Sequence, residues 1–315
     1  MVSPALLQKL ARGVNISRWF RYPATDSEQH YRGFVIDADL DLLVAMGVTT
    51  VRLAVDPQYM HLQYLDEAVA RLTGRGLVVV FDYHDESRTI ETGPAAVEAL
   101  ERAWSALAAH LAHVPPDRLL LEIFNESVFD EDPAAWFPIR RRLAAAIRAA
   151  APAHTIVAGG PNWSSLDGLL ASEPLDDDNV LYTFHFYEPF EFTHQGAPWV
   201  GGAVGRMRNI RYPATPQQTG HVERRVASAE EWARRHNVPA WAGEFGAYPP
   251  HAPKNDRLRW LYDVRTALER HGIGWAVWSY DESLGLDRVR DETGTIQVDW
   301  DSVAALGLRA PGAVA

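Results

Sequence analysis

No cysteine occurs in the 315-residue sequence, which excludes disulfides, thiolate nucleophiles and cysteine-ligated metals and leaves the redox compartment unreadable. Basic residues are in deficit. Lys and Arg number 30 against 41 Asp and Glu, a formal net charge of −11, which argues against nucleic acid or an anionic membrane surface as the main partner. No run approaches the roughly 18 apolar residues of a membrane span. The opening MVSPALLQKLARGVN holds no apolar core of signal-peptide length, so a cytoplasmic protein and a secreted one with its leader removed are equally compatible. No Gly/Ser linker, low-complexity tract or short-period repeat divides the chain, and one domain over 1–315 is expected. Nothing points to an obligate assembly, so a monomer is expected.

What the chain does have is aromatic residues, eleven Trp and eleven Tyr, many of them closing short apolar runs. These runs read as strands at 13–19, 49–55, 77–84, 119–126, 155–160, 179–187, 238–246 and 273–280. Helical periodicity lies between them, near 37–46, 62–74, 95–113, 133–151, 164–171, 217–236 and 255–271, with a last short stretch near 300–307. Strands apolar on both faces, each followed by a helix, predict parallel pairing through right-handed crossovers. The α/β class is therefore expected, as a closed (β/α)8 TIM barrel. An open doubly wound sheet is the alternative, but GVNISRW lacks the Gly-rich phosphate turn that usually follows its first strand.

In such a barrel the chemistry sits at the C-terminal strand ends. Those ends carry Asn15 and Trp19, Arg52, His84, Asn125 with Glu126, Trp163, His185 with Tyr187, Glu244 and Trp278. Asn125 and Glu126 close the apolar run LLLEIF, where a carboxylate is costly unless something there requires it. Two carboxylates facing each other across a pocket are the machinery for cleaving a glycosidic bond. Glu126 is then the acid that protonates the leaving oxygen and afterwards activates water, and Glu244 the nucleophile. Arg52 beside Glu244 would keep it ionised, and a less polar surrounding would keep Glu126 protonated. Glu126 taken alone would serve equally as a helix cap. Glu122 shares its strand face and is expected to be a buried structural partner.

The segments RGVN (12–15), VRLAV around Arg52, DYH (82–84), IFNE (123–126), HFYEP (185–189), GEFG (243–246) and WAVWSY (275–280) together resemble the family 5 glycoside hydrolases. Their order and spacing agree from about Gly13 to Tyr280. The resemblance implies a (β/α)8 fold, retention of anomeric configuration, and no metal or organic cofactor. It implies Glu126 as acid/base, Glu244 as nucleophile, and Asn125 as the group that hydrogen-bonds the sugar 2-hydroxyl. Arg52 and Tyr187 correspond to groups that tune the nucleophile, His84 and His185 to histidines lining the −1 subsite, and Trp278 to its aromatic platform. Trp19 and Trp163 match more loosely, as further platforms. The family usually reads Asn-Glu-Pro, and here Ser127 stands in place of the proline, which frees the backbone after Glu126 and blurs the substrate.

His84 or His185 alone would read as a core histidine, and neither DYHD nor HFYE has paired metal-ligand spacing. The aromatic stretch 187–199 is expected to be an ordered loop over the cleft, while the order of the 196–220 insert is left open. The expected partner is a β-linked polysaccharide or oligosaccharide, and the expected activity an endo-β-1,4-glucanase (cellulase). A β-mannanase, or an exo-acting β-1,3-glucanase or β-glucosidase, would use the same chemistry. A non-catalytic carbohydrate-binding barrel would have lost one of the two glutamates. Retention requires the two carboxyl groups roughly 5–5.5 Å apart.

Overall fold

The period of two along each strand decides which side chains enter the barrel and which face the helices. The structure, a computed structural model, describes residues 1–215, 218 and 220–310. Among these, eight parallel strands close into a barrel in chain order. They are β1 (Arg12–Phe20), β2 (Thr50–Val55), β3 (Val78–Tyr83), β4 (Leu119–Glu122), β5 (Ile156–Gly159), β6 (Val180–Phe186), β7 (Ala240–Phe245) and β8 (Gly274–Val277). The barrel closes where Gly13 of β1 meets Ala276 of β8. Only glycine fits there, since a Cβ at position 13 would lie 2.9 Å from the Trp275 carbonyl oxygen.

A helix follows each strand on the outside: Asp37–Ala45, Leu62–Gly74, Pro94–Leu111, Trp136–Ala150, Leu166–Leu170, His221–His236, Lys254–Arg270 and Trp300–Ala305. Each buries one stripe, such as Leu65, Val69 and Leu72, or Trp104, Leu107 and Leu111, at the i, i+3, i+4 spacing that faces a sheet. Inside the barrel, Val80, Leu120, Val157, Leu181 and Trp241 pack as a dry lower layer, and the helix Pro4–Lys9 closes the floor with Leu6 and Leu10. A depression of about 730 Å³ lies beneath this floor, bordered by Leu7, Leu10, Trp241 and Gly274. The polar layer lies at the opposite end. Two residues beyond Val80 comes Asp82, and two beyond Leu120 comes Glu122, both fully buried.

The strands and helices lie close to the spans read from the sequence, with some differences. The run 119–126 is a strand only to Glu122. Beyond it the chain hangs between its neighbours, Ile123 N donating to Val157 O and Asn125 N to Tyr83 O. The helix expected over 217–236 begins at His221, and residues 216, 217, 219 and 311–315 lie outside the described residues. In the 196–220 insert, Val204–Arg206 forms a 3₁₀ turn, and Gln195 fastens the segment by bonding Phe192 O, Ile210 O and Ile210 N. A helix at Glu28–Gly33 and a small hairpin pairing Val289–Arg290 with Ile296–Gln297 were not expected.

The first outer helix is pinned to the segment after β8 by one buried carboxylate. Asp39 accepts from Arg288 Nε and Nη2 at 2.7 Å each, from Tyr280 OH at 2.9 Å and from Ile36 N at 2.9 Å. Asp39→Ala leaves a buried guanidinium without its partner, so stability should fall by about 3–5 kcal/mol. Urea unfolding measures this, and a loss below about 1 kcal/mol would show that the pair acts as a surface contact.

Candidate active site

One guanidinium organises the polar layer. Arg52, on the inner face of β2 and fully buried, donates from Nε and Nη2 to the two Glu122 oxygens at 2.7 and 2.9 Å. Nη1 donates to Glu244 Oε1 at 2.7 Å and to Asn15 Oδ1 at 3.0 Å. Nη2 also reaches Asn125 Oδ1 at 2.9 Å and Asp82 Oδ2 at 3.0 Å. Only the planar fork of arginine serves this many acceptors at once. Burial and the facing Asp82 push the Glu122 carboxyl up to about 7, against the pull of Arg52.

Strict alternation along β7 would turn Glu244 away from the lumen. A register shift between β6 and β7, after the pair Phe184–Ala242, brings Glu244 opposite His185, and such a bulge re-aims the side chain inward. Position 243 must then be glycine, because a Cβ there would sit 2.4 Å from Thr183 Oγ1. Glu244 Oε2 accepts from the Tyr187 hydroxyl at 2.8 Å, so both of its oxygens are held. Burial and the Glu244 charge keep Tyr187 protonated.

Glu126 stands in a different setting. It lies past the end of β4 at φ 39°, in the left-handed region, and its Oε1 is 2.8 Å from His185 Nδ1. Burial pushes its carboxyl up to about 7. Burial also lowers His185 to about 4, so the imidazole is neutral and adds no charge that would strip the proton from Glu126. One oxygen of Glu126, one of Glu244 and one His185 nitrogen all lie within 4.8 Å of one another. The pocket thus pairs a carboxylic acid near neutrality with a carboxylate fixed by Arg52 and Tyr187. Those three residues offer a metal one ligand atom each, but both Glu244 oxygens already serve donors and the adjacent guanidinium opposes a cation.

His84 completes the wall. Burial alone would lower it, but Asp82 Oδ2 at 2.7 Å from Nδ1 outweighs that and raises it to about 9. Its Nε2 lies 3.0 Å from Asn125 Nδ2, and Trp278 lies 5.6 Å away, centroid to centroid. Trp163 presents an open face, 48% exposed, with the Arg88 guanidinium 3.8 Å from its ring centroid.

Two expected ligand contacts are corrected. Trp19 is core: 1% exposed, it donates Nε1–H to Tyr31 O at 2.7 Å and packs on Phe20, so no ring face is left for a sugar. Asn15 is fully buried, and its Nδ2 bonds Gly243 O and Val277 O. It ties β1 to β7 and β8 beneath the pocket. Arg52 likewise faces protein, not solvent. Asp82 was missed, although it lies two residues before His84 on the same strand face.

The model of the cellulase family, glycosyl hydrolase family 5, matches residues 12–283. The chain belongs to glycosyl hydrolase family 5. Among relatives, Endoglucanase 3 of Fibrobacter succinogenes is 26% identical over 87% of this chain and 50% of its own length. The chain therefore spans half of that relative. Endoglucanase C of Acetivibrio thermocellus is 25% identical over 85% of this chain and 90% of its own. Thermotoga maritima Cel5A, solved with cellobiose, superposes with a TM-score of 0.82 at 26% identity over 96% of this chain and 100% of that one. The same Cel5A solved with mannotriose gives a TM-score of 0.83.

Against the usual Asn-Glu-Pro of family 5, Ser127 is buried, directs its Oγ to Gly160 O at 3.4 Å and accepts at its carbonyl from Trp163 N at 3.3 Å. It links the segment bearing Glu126 to the turn that presents Trp163.

Removing Arg52 tests its place in this layer. Arg52→Met would leave Asp82, Glu122 and Glu244 buried together with no guanidinium, at a cost of about 3–5 kcal/mol. Without the cation their folded-state pKa values rise above the unfolded ones, so ionisation opposes folding. Part of the lost stability should return as pH falls from 7 to 5. A thermal midpoint in the variant that drops over that interval as much as in the wild type would contradict this arrangement.

Proposed function

We propose that the protein hydrolyses β-1,4-glucosidic bonds of β-glucans with retention of configuration, by double displacement on two glutamates. The observation that carries this reading is the approach of Glu126 and Glu244 to within 4.8 Å, with the Glu126 carboxyl raised by burial and both Glu244 oxygens held by Arg52 and Tyr187. Inverting enzymes separate the pair by about 6.5–9.5 Å to seat a water between them, and retaining ones by about 5–5.5 Å. Glu244, aligned by Arg52 and Tyr187, attacks the anomeric carbon, while Glu126 gives its proton to the departing oxygen. In the second half the same Glu126 takes a proton from water as it attacks the glycosyl-enzyme ester, which restores Glu244. Asn125, whose Oδ1 is held by Arg52, turns its amide toward the sugar beside His84.

The relatives' names support a glucan substrate and attack at internal bonds, the endo mode expected from the sequence. The Cel5A complexes with cellobiose and mannotriose support a β-mannan as second substrate for the same chemistry. A product time course on carboxymethyl cellulose, mixed-linkage glucan, laminarin and mannan decides: early mixed oligomers from the first two are expected. Turnover of laminarin or mannan alone would move the substrate and keep the mechanism.

Two further outcomes follow from the site. Glu126 must be protonated to act as acid, and its carboxyl is raised to about 7. The free-enzyme profile of kcat/KM should therefore fall as pH rises through about 7, and Glu126→Gln should slow hydrolysis of cello-oligosaccharides by about 10²–10⁴. An activity level up to pH 9 would exclude Glu126 as the acid. Glu244→Ala should abolish turnover while leaving oligosaccharide binding nearly intact, and a variant retaining more than roughly a twentieth of the rate would dismiss it as nucleophile.

A further inference from the structure

Two buried polar atoms on β6 have no hydrogen-bond partner among the described residues: Thr183 Oγ1 and His185 Nε2. Their residues stand two apart on one face of the strand, Thr183 fully buried and His185 only 4% exposed. The two atoms border one notch. A Cβ at Gly243 of β7 would lie 2.4 Å from Thr183 Oγ1 and 3.4 Å from His185 Nε2. The Thr183 methyl turns the other way, 3.6 Å from where a Cβ at Gly159 of β5 would stand. The hydroxyl therefore faces the side of β6 on which Nε2 lies, and the reaction chemistry described above uses neither atom.

A neutral imidazole carries one ring proton, and the partner of one nitrogen decides which nitrogen holds it. His185 is neutral, and its Nδ1 stands 2.8 Å from Glu126 Oε1 and 3.6 Å from Glu244 Oε2. Two arrangements are open. In the first, Thr183 donates to Nε2, and Nδ1–H points at Glu126 with the Glu244 carboxylate close behind. Every proton then has an acceptor. In the second, the ring proton is on Nε2 and faces Thr183, whose own hydroxyl proton is left without an acceptor, while Nδ1 takes up the Glu126 proton in a hydrogen bond. A buried donor without an acceptor costs about 1–3 kcal/mol, so the first arrangement is favoured. It is also the one that leaves the Glu126 proton on Oε2, free for the departing oxygen.

We propose that Thr183 is a positioning residue for the acid: its hydroxyl donates to His185 Nε2 across the notch at Gly243, fixes the Nδ1–H tautomer, and so keeps the Glu126 proton available to the leaving group. The proposal rests on the retaining glycosidase reading. Glycine at 243 then serves twice, once to let the strand turn Glu244 inward and once to leave the path between Thr183 and His185 open.

Thr183→Val keeps the side-chain shape and removes the donor. The readout is kcat/KM on two aryl β-cellobiosides, one releasing phenol, which must be protonated to depart, and one releasing 2,4-dinitrophenol, which departs as the anion. The valine variant should lose about tenfold on the phenyl substrate, the value of one hydrogen bond, and little on the dinitrophenyl one. Thr183→Ser should keep the phenyl rate. An equal loss on both substrates would mark a merely structural residue and overturn the proposal, and so would no loss on either. If the valine variant does not fold, nitrogen-15 shifts of the imidazoles in histidine-labelled wild type read the tautomer directly, with His185→Gln used to assign the signal. A proton on Nδ1 is expected, and a proton on Nε2 overturns the proposal. Glu126→Gln controls the reading beneath it: the phenyl substrate should slow far more than the dinitrophenyl one, and an equal effect would remove the acid role of Glu126 and the proposal with it.

Discussion

The polar half of this barrel depends on a single buried cation. Arg52 touches a group from β1, from β3, from β7 and, in Glu122 and Asn125, two from the β4 segment. Burying a guanidinium is unfavourable unless its donors are satisfied, and burying three carboxylates together is worse. Each side makes the other tolerable. The alternation continues outward, from Arg52 to Asp82, His84, Glu86 and Arg21, so that positive and negative groups follow one another from the barrel axis to the rim. A rigid reaction centre is the by-product of that alternation, because no member can rotate without leaving a neighbour unpaired in low dielectric.

Two identical side chains acquire different chemistry from this frame. Glu244 faces a guanidinium and a phenol, which each donate to one of its oxygens. Glu126 faces a neutral imidazole, and burial favours its proton against the pull of the more distant cations His84 and Arg52. The difference arises from position along the radius of the barrel: the nucleophile lies against the charged hub and the acid lies one step away from it.

Much of this was legible in the sequence. Eight apolar runs alternating with helical periods predict the barrel, since strands that bury both faces need helices outside and neighbours on each edge. Polar residues at the ends of those runs mark the pocket, because one charge at a strand end can be a helix cap, whereas polar groups closing nearly every run at the same level point to a shared site. What was not legible depends on contacts between distant segments. Trp19 resembles a pocket aromatic by its position, but Tyr31, twelve residues on, accepts its N–H and draws it into the core. The inward aim of Glu244 comes from a shift between β6 and β7 that no property of β7 alone encodes, although glycine at 243 is its trace. Arg21, Glu86 and Glu282 meet only because β8, β1 and β3 converge on one arc of the rim, and each alone reads as an ordinary surface charge.

The two glutamates are also mounted differently. Glu244 is a rung of the barrel, inside β7, whereas Glu126 stands four residues past the last paired residue of β4. One is borne by the frame and the other by its trim. Sequence drift in the segment after Glu126 can therefore retune when the proton is released while the attacking oxygen stays where the barrel puts it. Serine in place of proline at 127 lies in that segment and leaves β7 untouched. A lineage built on this plan can adjust its working pH by editing a loop and never disturb the bond-making half of its chemistry.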